Sequence, residues 1–110
     1  KEVLMPQIDL KFSDKLDLNF NELFTKIEKT INTIDSNAGI CKCRANPVKD
    51  YQHDHVLLVV FLMQKPHRDK AFMENMLKEL DGIIKPYVPK DYSCSIELKF
   101  LSDYYLSYIA

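Results

Sequence analysis

From Pro6 to Phe12 the chain alternates, with Ile8, Leu10 and Phe12 on one side and Gln7, Asp9 and Lys11 on the other, the period of a strand with one buried face. Asn19 stands three residues before Glu22, a capping-box start, and Phe20, Leu23, Phe24, Ile27, Ile31 and Ile34 recur at helical spacing. Ser36, Asn37, Ala38 and Gly39 end that helix, since Asn or Gly accepts the left-handed cap conformation. A second strand is expected over Ile40 to Ala45, closed by Pro47. The plan then repeats. Val56 to Met63 is an unbroken apolar run, too short and too rich in Val and Leu for a surface helix, and reads as a central strand. Lys65, Pro66 and His67 break the pattern, Asp69 caps, and Phe72, Met73, Met76, Leu77, Leu80, Ile83 and Ile84 define a second amphipathic helix that stops near Gly82 to Pro86. Cys94, Ile96, Leu98 and Phe100 alternate against Ser93, Ser95, Glu97 and Lys99 as a fourth strand.

Two β-α-β repeats imply an α+β fold, a four-stranded mixed sheet with both helices on one face, because right-handed crossovers lay each helix on the same side. The other face is left bare. The strands at 56–63 and 94–100 carry enough apolar residues that exposing this face costs ~25 cal/mol per Å² of apolar area, so neighbouring copies are expected to cover it in a closed ring. Tyr104, Tyr105, Leu106, Tyr108 and Ile109 suit a tail, residues 101–110, lying at a subunit interface, although a tail folded on its own domain remains the alternative. Residues 1–5 precede the first strand as an extension.

The chain's 110 residues suit a single domain. Fifteen basic and 16 acidic residues are interspersed for a net charge of -1, which points to a small-molecule partner and away from nucleic acid or an anionic membrane. No apolar run is long enough for a membrane span and residues 1–5 lack a signal-peptide core, so a cytoplasmic location is expected. Cys41, Cys43 and Cys94 are an odd number, which fits reduced thiols better than a disulfide framework. Cys41 and Cys43 point to one strand face as small apolar fillers. A zinc site drawn from them with His53, His55 or His67 is the sharper alternative, but the spacing does not match the usual zinc signatures. No metal and no cofactor is expected.

Several segments, in order, resemble the 5-carboxymethyl-2-hydroxymuconate isomerases of the tautomerase superfamily. They are Met5-Pro6 before an alternating strand and Ser13-Asp14, Leu23-Phe24 with Lys26 in the first helix, Ala38-Gly39-Ile40 opening the second strand, and Gln52-His53-Asp54 before the third. The resemblance implies a homotrimer whose sheets line a central barrel, an isomerase of aromatic catabolism acting without a cofactor on a small carboxylate substrate, and an amino-terminal proline as general base beside arginines that grip that carboxylate. It makes Pro6 the candidate base, and Arg68 and Arg44 the candidate carboxylate ligands with Lys42 in reserve. The chain has Cys41 where the family usually places an arginine.

Moving a double bond means taking a proton from one atom and returning it to another, and a desolvated proline amine can do both near neutral pH. An acylated proline has no basic lone pair, so this reading requires Pro6 to be the mature amino terminus. A guanidinium holds a carboxylate through paired hydrogen bonds and stabilises the developing dienolate. Two other readings stay open: a catalytically inactive trimeric relative that binds a carboxylate metabolite or a protein partner, and a ferredoxin-like binding module with the same element order.

Overall fold

The computed structural model describes residues 6–110, so the extension at residues 1–5 lies outside the described residues. The chain runs through β1 (Gln7–Ser13), α1 (Phe20–Ile34), β2 (Lys42–Val48), β3 (His55–Leu62), α2 (Lys70–Ile84) and β4 (Ser93–Phe100), with a 3-10 turn at Lys85–Tyr87. The sheet order is β2-β1-β3-β4, with parallel pairing inside each repeat and antiparallel pairing of β1 to β3 between them. This is the α+β fold of two β-α-β repeats and a mixed sheet that the periodicity predicts.

Helix ends follow local chemistry. The Asn19 side chain accepts from the Glu22 N–H at 3.2 Å, and Asp69 accepts from the Phe72 N–H at 2.9 Å, each satisfying a donor the first turn leaves free. After α1 the chain turns at Gly39, whose φ of 81° favours a residue without a Cβ. α2 runs through Gly82 to Ile84, two residues past the earliest expected stop. Pro47 lies inside β2 instead of closing it. That is permitted because β2 is an edge strand, where a missing N–H leaves no partner unsatisfied.

One core sits between the sheet and the helices. Ile8, Leu10, Phe12, Val56, Leu58, Val60 and Leu62 bury against Leu23, Ile27 and Ile31 of α1 and Met76, Leu80 and Ile84 of α2. The cross-strand register aligns Ile8 with Cys43 and Val60, and Val60 with Leu98, so Cys43 and the apolar half of β4 share this helix-covered face. The opposite face is therefore less apolar than the strand sequences suggest. Only β3 contributes an apolar stripe there, half-buried Leu57, Val59 and Phe61, while β4 presents Ser95, Glu97 and Lys99. β1 and β2 fill the rest of the open face with Gln7, Asp9, Lys11, Lys42, Arg44 and Asn46.

Candidate active site

The register gathers the amino-terminal end of β1, the start of β2 and the end of β3 at one end of the sheet. Gln7 lies between Lys42 and Phe61. Pro6 is buried, one residue before β1, and its carbonyl accepts from the Lys42 N–H at 3.0 Å. This bond ties the proline to the first residue of β2.

On the open face beside Pro6 stands a ladder of polar side chains. Parallel pairing puts Asp9 directly across from Arg44, whose Nε donates to Asp9 Oδ1 at 3.0 Å. The same guanidinium donates through Nη1 to Gln7 Oε1 at 2.8 Å. Gln7 passes the chain on, because its Nε2 donates to the Tyr105 hydroxyl at 2.7 Å. Lys42 Nζ donates to Ser107 Oγ at 3.0 Å. Among the described residues it has no carboxylate partner. The tail thus leaves β4, is held to β3 by the Leu101 N–H on the Leu62 carbonyl, and crosses to β1 and β2. A cavity of about 170 Å³ lies along this path, lined by Met63, Gln64, Leu101, Ser102, Asp103 and Tyr105. Burial pushes the Tyr105 phenol up, but hydrogen bonds to Gln7 and Ser107 and the Lys42 and Arg44 charges outweigh it, so it titrates below an ordinary tyrosine. With two cations, one carboxylate and several hydroxyl and amide donors, the cluster suits a small anionic ligand.

Arg68 is elsewhere. It is 5% exposed, behind the sheet, and its Nε and Nη2 bind Asp35 Oδ2 at 2.8 and 2.7 Å. Its Nη1 donates to the Met63 carbonyl at 2.6 Å. The fold therefore joins Pro6 to Lys42 by a backbone hydrogen bond, sets Arg44 two residues further along β2 on the open face, and places Arg68 at the same end of the sheet but in the interior, engaged with the chain's own carboxylate. Asp35 caps the end of α1, and His67 Nε2 meets its Oδ2 at 2.9 Å. Burial pushes the Asp35 carboxyl up, yet hydrogen bonds from His67, Arg68 and the Asn37 N–H hold it below the usual carboxylate range.

Cys41 and Cys43 face the helices. Burial, with the Cys43 thiol and Glu28 nearby, pushes the Cys41 thiol up to about 12, and burial with Glu28 pushes Cys43 up to about 11. Only the thiolate is nucleophilic, so at pH 8 roughly one Cys43 in a thousand is reactive, and fewer Cys41. Both are expected to resist iodoacetamide in the folded protein and to alkylate once urea unfolds it, as peptide mass spectrometry will show. His53 and His55 sit at the opposite end of the sheet, with His55 beside Ser93, about 20 Å of strand from Pro6. Among the described residues no group of three or more His, Cys, Asp or Glu side chains is placed to hold a metal ion.

Gln7, Asp9, Tyr105 and Ser107 complete the cluster without having been singled out by sequence as site residues. Strand alternation alone puts Gln7 and Asp9 on the polar face with Lys42 and Arg44, but nothing local announces that the tail returns to them.

This strand order, with both helices on one face, is the fold of the tautomerase type. A 5-carboxymethyl-2-hydroxymuconate delta-isomerase superposes with a TM-score of 0.76 at 13% identity, over 98% of this chain and 90% of that one. A 5-carboxymethyl-2-hydroxymuconate isomerase from Deinococcus radiodurans R1 superposes with a TM-score of 0.70 at 16% identity, over 93% of this chain and 87% of that one. A fused 4-OT described as a symmetric trimer gives 0.68 at 10% identity, covering 90% and 91%. No protein-family model and no curated protein matches the chain. The resemblance read from the sequence thus holds at the level of the fold. Among the described residues no helix is long and apolar enough to cross a membrane.

Proposed function

We propose that this protein is an isomerase that shifts a proton within a small unsaturated hydroxy- or dicarboxylic acid of the 5-carboxymethyl-2-hydroxymuconate kind. Pro6, as mature amino terminus, is the general base, and Lys42 and Arg44 hold the substrate carboxylate. The observation that carries this reading is the placement of Lys42 and Arg44 on one open sheet face beside Pro6, in a fold shared with isomerases of that substrate class. Arg68 serves the site from behind, fixing the end of β3 next to Pro6 through the Met63 carbonyl. Proton transfer between atoms of one substrate calls for no cofactor. Three free thiols suit a reducing cytoplasm.

The working unit in this proposal is a homotrimer. Tyr104, Leu106, Tyr108 and Ile109 are exposed, Tyr104 at 98%, while Tyr105 and Ser107 between them face inward. A tail with one side on its own sheet and an apolar side outward fits a neighbouring subunit, as does the Leu57, Val59, Phe61 stripe.

The test is an enol-to-keto assay with 2-hydroxymuconate on protein whose first residue is Pro6. Arg44→Ala is expected to lower kcat/KM about 10- to 100-fold, the loss of a bidentate grip on a carboxylate. Wild-type turnover no greater than that of a Pro6→Ala control overturns the reading. A catalytically silent relative that binds a carboxylate on the same cations would then bind 2-hydroxymuconate without converting it.

A further inference from the structure

The Tyr105 phenol is a tail group, 98 residues from its partner Gln7, yet it stands in the polar ladder beside the proposed base. Its orientation follows from donor and acceptor inventory. Arg44 can only donate, so the Gln7 oxygen must face it, and the Gln7 amide nitrogen then faces Tyr105. That nitrogen can only donate, so the phenol oxygen accepts from it. The Tyr105 hydrogen is therefore not used by Gln7 and is free to be donated toward Ser107 or a ligand.

We propose that Tyr105 is a catalytic hydrogen-bond donor of this site, completing with Lys42 and Arg44 the set that binds the substrate oxygen on which negative charge builds. This rests on the isomerase reading. In that reaction the Pro6 amine takes the enol proton. The O–H bond breaks, an N–H bond forms, and the electron pair stays on oxygen. The same proton then passes to the far carbon of the conjugated system as a C–H bond forms and the carbonyl is regenerated, leaving no proton or electron unaccounted for. Tyr105 keeps its own proton throughout and donates a hydrogen bond that strengthens as the oxygen becomes anionic. The nearby cavity lined by Met63, Gln64, Leu101, Ser102, Asp103 and Tyr105 offers room beside the phenol for part of such a substrate.

A phenol donates only while protonated. The groups facing it are Gln7 of β1, Lys42 and Arg44 of β2, Ser107 of the tail, and Asp103, which lines the same cavity. Because the Gln7 and Ser107 hydrogen bonds and the Lys42 and Arg44 charges hold its titration below the ordinary tyrosine value, activity is expected to fall on the alkaline side earlier than ordinary tyrosine ionisation would dictate. An alkaline limb of any other origin would survive removal of the phenol.

The deciding experiment compares wild type, Tyr105→Phe and Tyr92→Phe, each beginning at Pro6, with 2-hydroxymuconate across pH 6–11. Tyr105→Phe is expected to lose about 10- to 100-fold in kcat with KM within about threefold, and to lose the early alkaline limb, as removal of a single transition-state donor does. Tyr92→Phe, beside Ser93 at the opposite end of the sheet and outside the ladder, should match wild type. Retention of kcat within threefold, or an unchanged alkaline limb, in Tyr105→Phe overturns the proposal. Wild type that does not turn over sinks the isomerase reading separately, and calorimetry of 2-hydroxymuconate binding then decides the donor role. Binding at least fivefold weaker in Tyr105→Phe supports Tyr105 as a ligand-contacting donor. Equal binding, or none by wild type, overturns it.

Discussion

Asp35→Ala is expected to destabilise the fold by about 3–5 kcal/mol at pH 7, the usual consequence of removing one partner from a buried ion pair. The Arg68 side chain is 2% exposed and that of Asp35 4%, so the guanidinium cannot be rescued by water once its carboxylate is gone. The substitution also removes the acceptor for the Asn37 N–H that shapes the exit from α1. In a domain of this size such a loss is roughly a fifth or more of total stability. Urea unfolding measures it, and a loss below about 1 kcal/mol would show that the pair is structurally idle. The double variant Asp35→Leu, Arg68→Met should recover much of the loss, since apolar residues of similar volume need no counter-charge. The pH dependence has a definite sign. Asp35 is held below the usual carboxylate range in the fold, so its contribution is present above the unfolded value of about 4 and fades as pH falls through the depressed folded value. Wild type should therefore lose stability on acidification more steeply than Asp35→Ala.

The largest effect on activity is expected at the Pro6 nitrogen. A free secondary amine carries a lone pair, whereas in the 110-residue chain that nitrogen is joined to Met5 as an amide, its lone pair delocalised into the carbonyl. Protein beginning at Pro6 should exceed the 110-residue chain in kcat by about 10²- to 10⁴-fold, the range that a positioned general base contributes. Affinity for fumarate, a dicarboxylate that cannot enolise, should stay within about threefold, because Lys42 and Arg44 bind the carboxylate in either protein. Equal kcat in the two would remove Pro6 from the mechanism and leave the cation cluster as a binding site.

Much of the architecture was open to reading from the chain. Ile8, Leu10 and Phe12 against Gln7, Asp9 and Lys11 define β1, and the capping residues Asn19 and Asp69 mark where both helices begin. Such features arise within a few residues, where period and hydrogen-bond chemistry leave little choice. Pro47 misleads as a local breaker, whereas α2 ends at Ile84, inside the expected Gly82 to Pro86 range. An edge position removes the penalty for Pro47, and the packing of Met76, Leu80 and Ile84 carries α2 past Gly82. Alternation also separates Arg44 from Cys43, and the structure has Arg44 on the open face across from Asp9.

Arg68 shows where such reading fails. An arginine beside His67 and Asp69 looks like a solvated charge or a ligand grip, but its partner Asp35 is 33 residues away and becomes a neighbour only when α1 ends against the start of α2. The Tyr105 to Gln7 contact spans 98 residues and depends on the tail doubling back across the sheet. The sequence by itself determined the kinds of elements, their order and the polarity of each strand face, since those depend on neighbours one to four residues apart. Only the tertiary structure decided which charges meet. Strand register aligned Arg44 with Asp9 and Gln7, and burial bound Arg68 to Asp35, because pairing energies between distant segments leave no periodic trace in the chain.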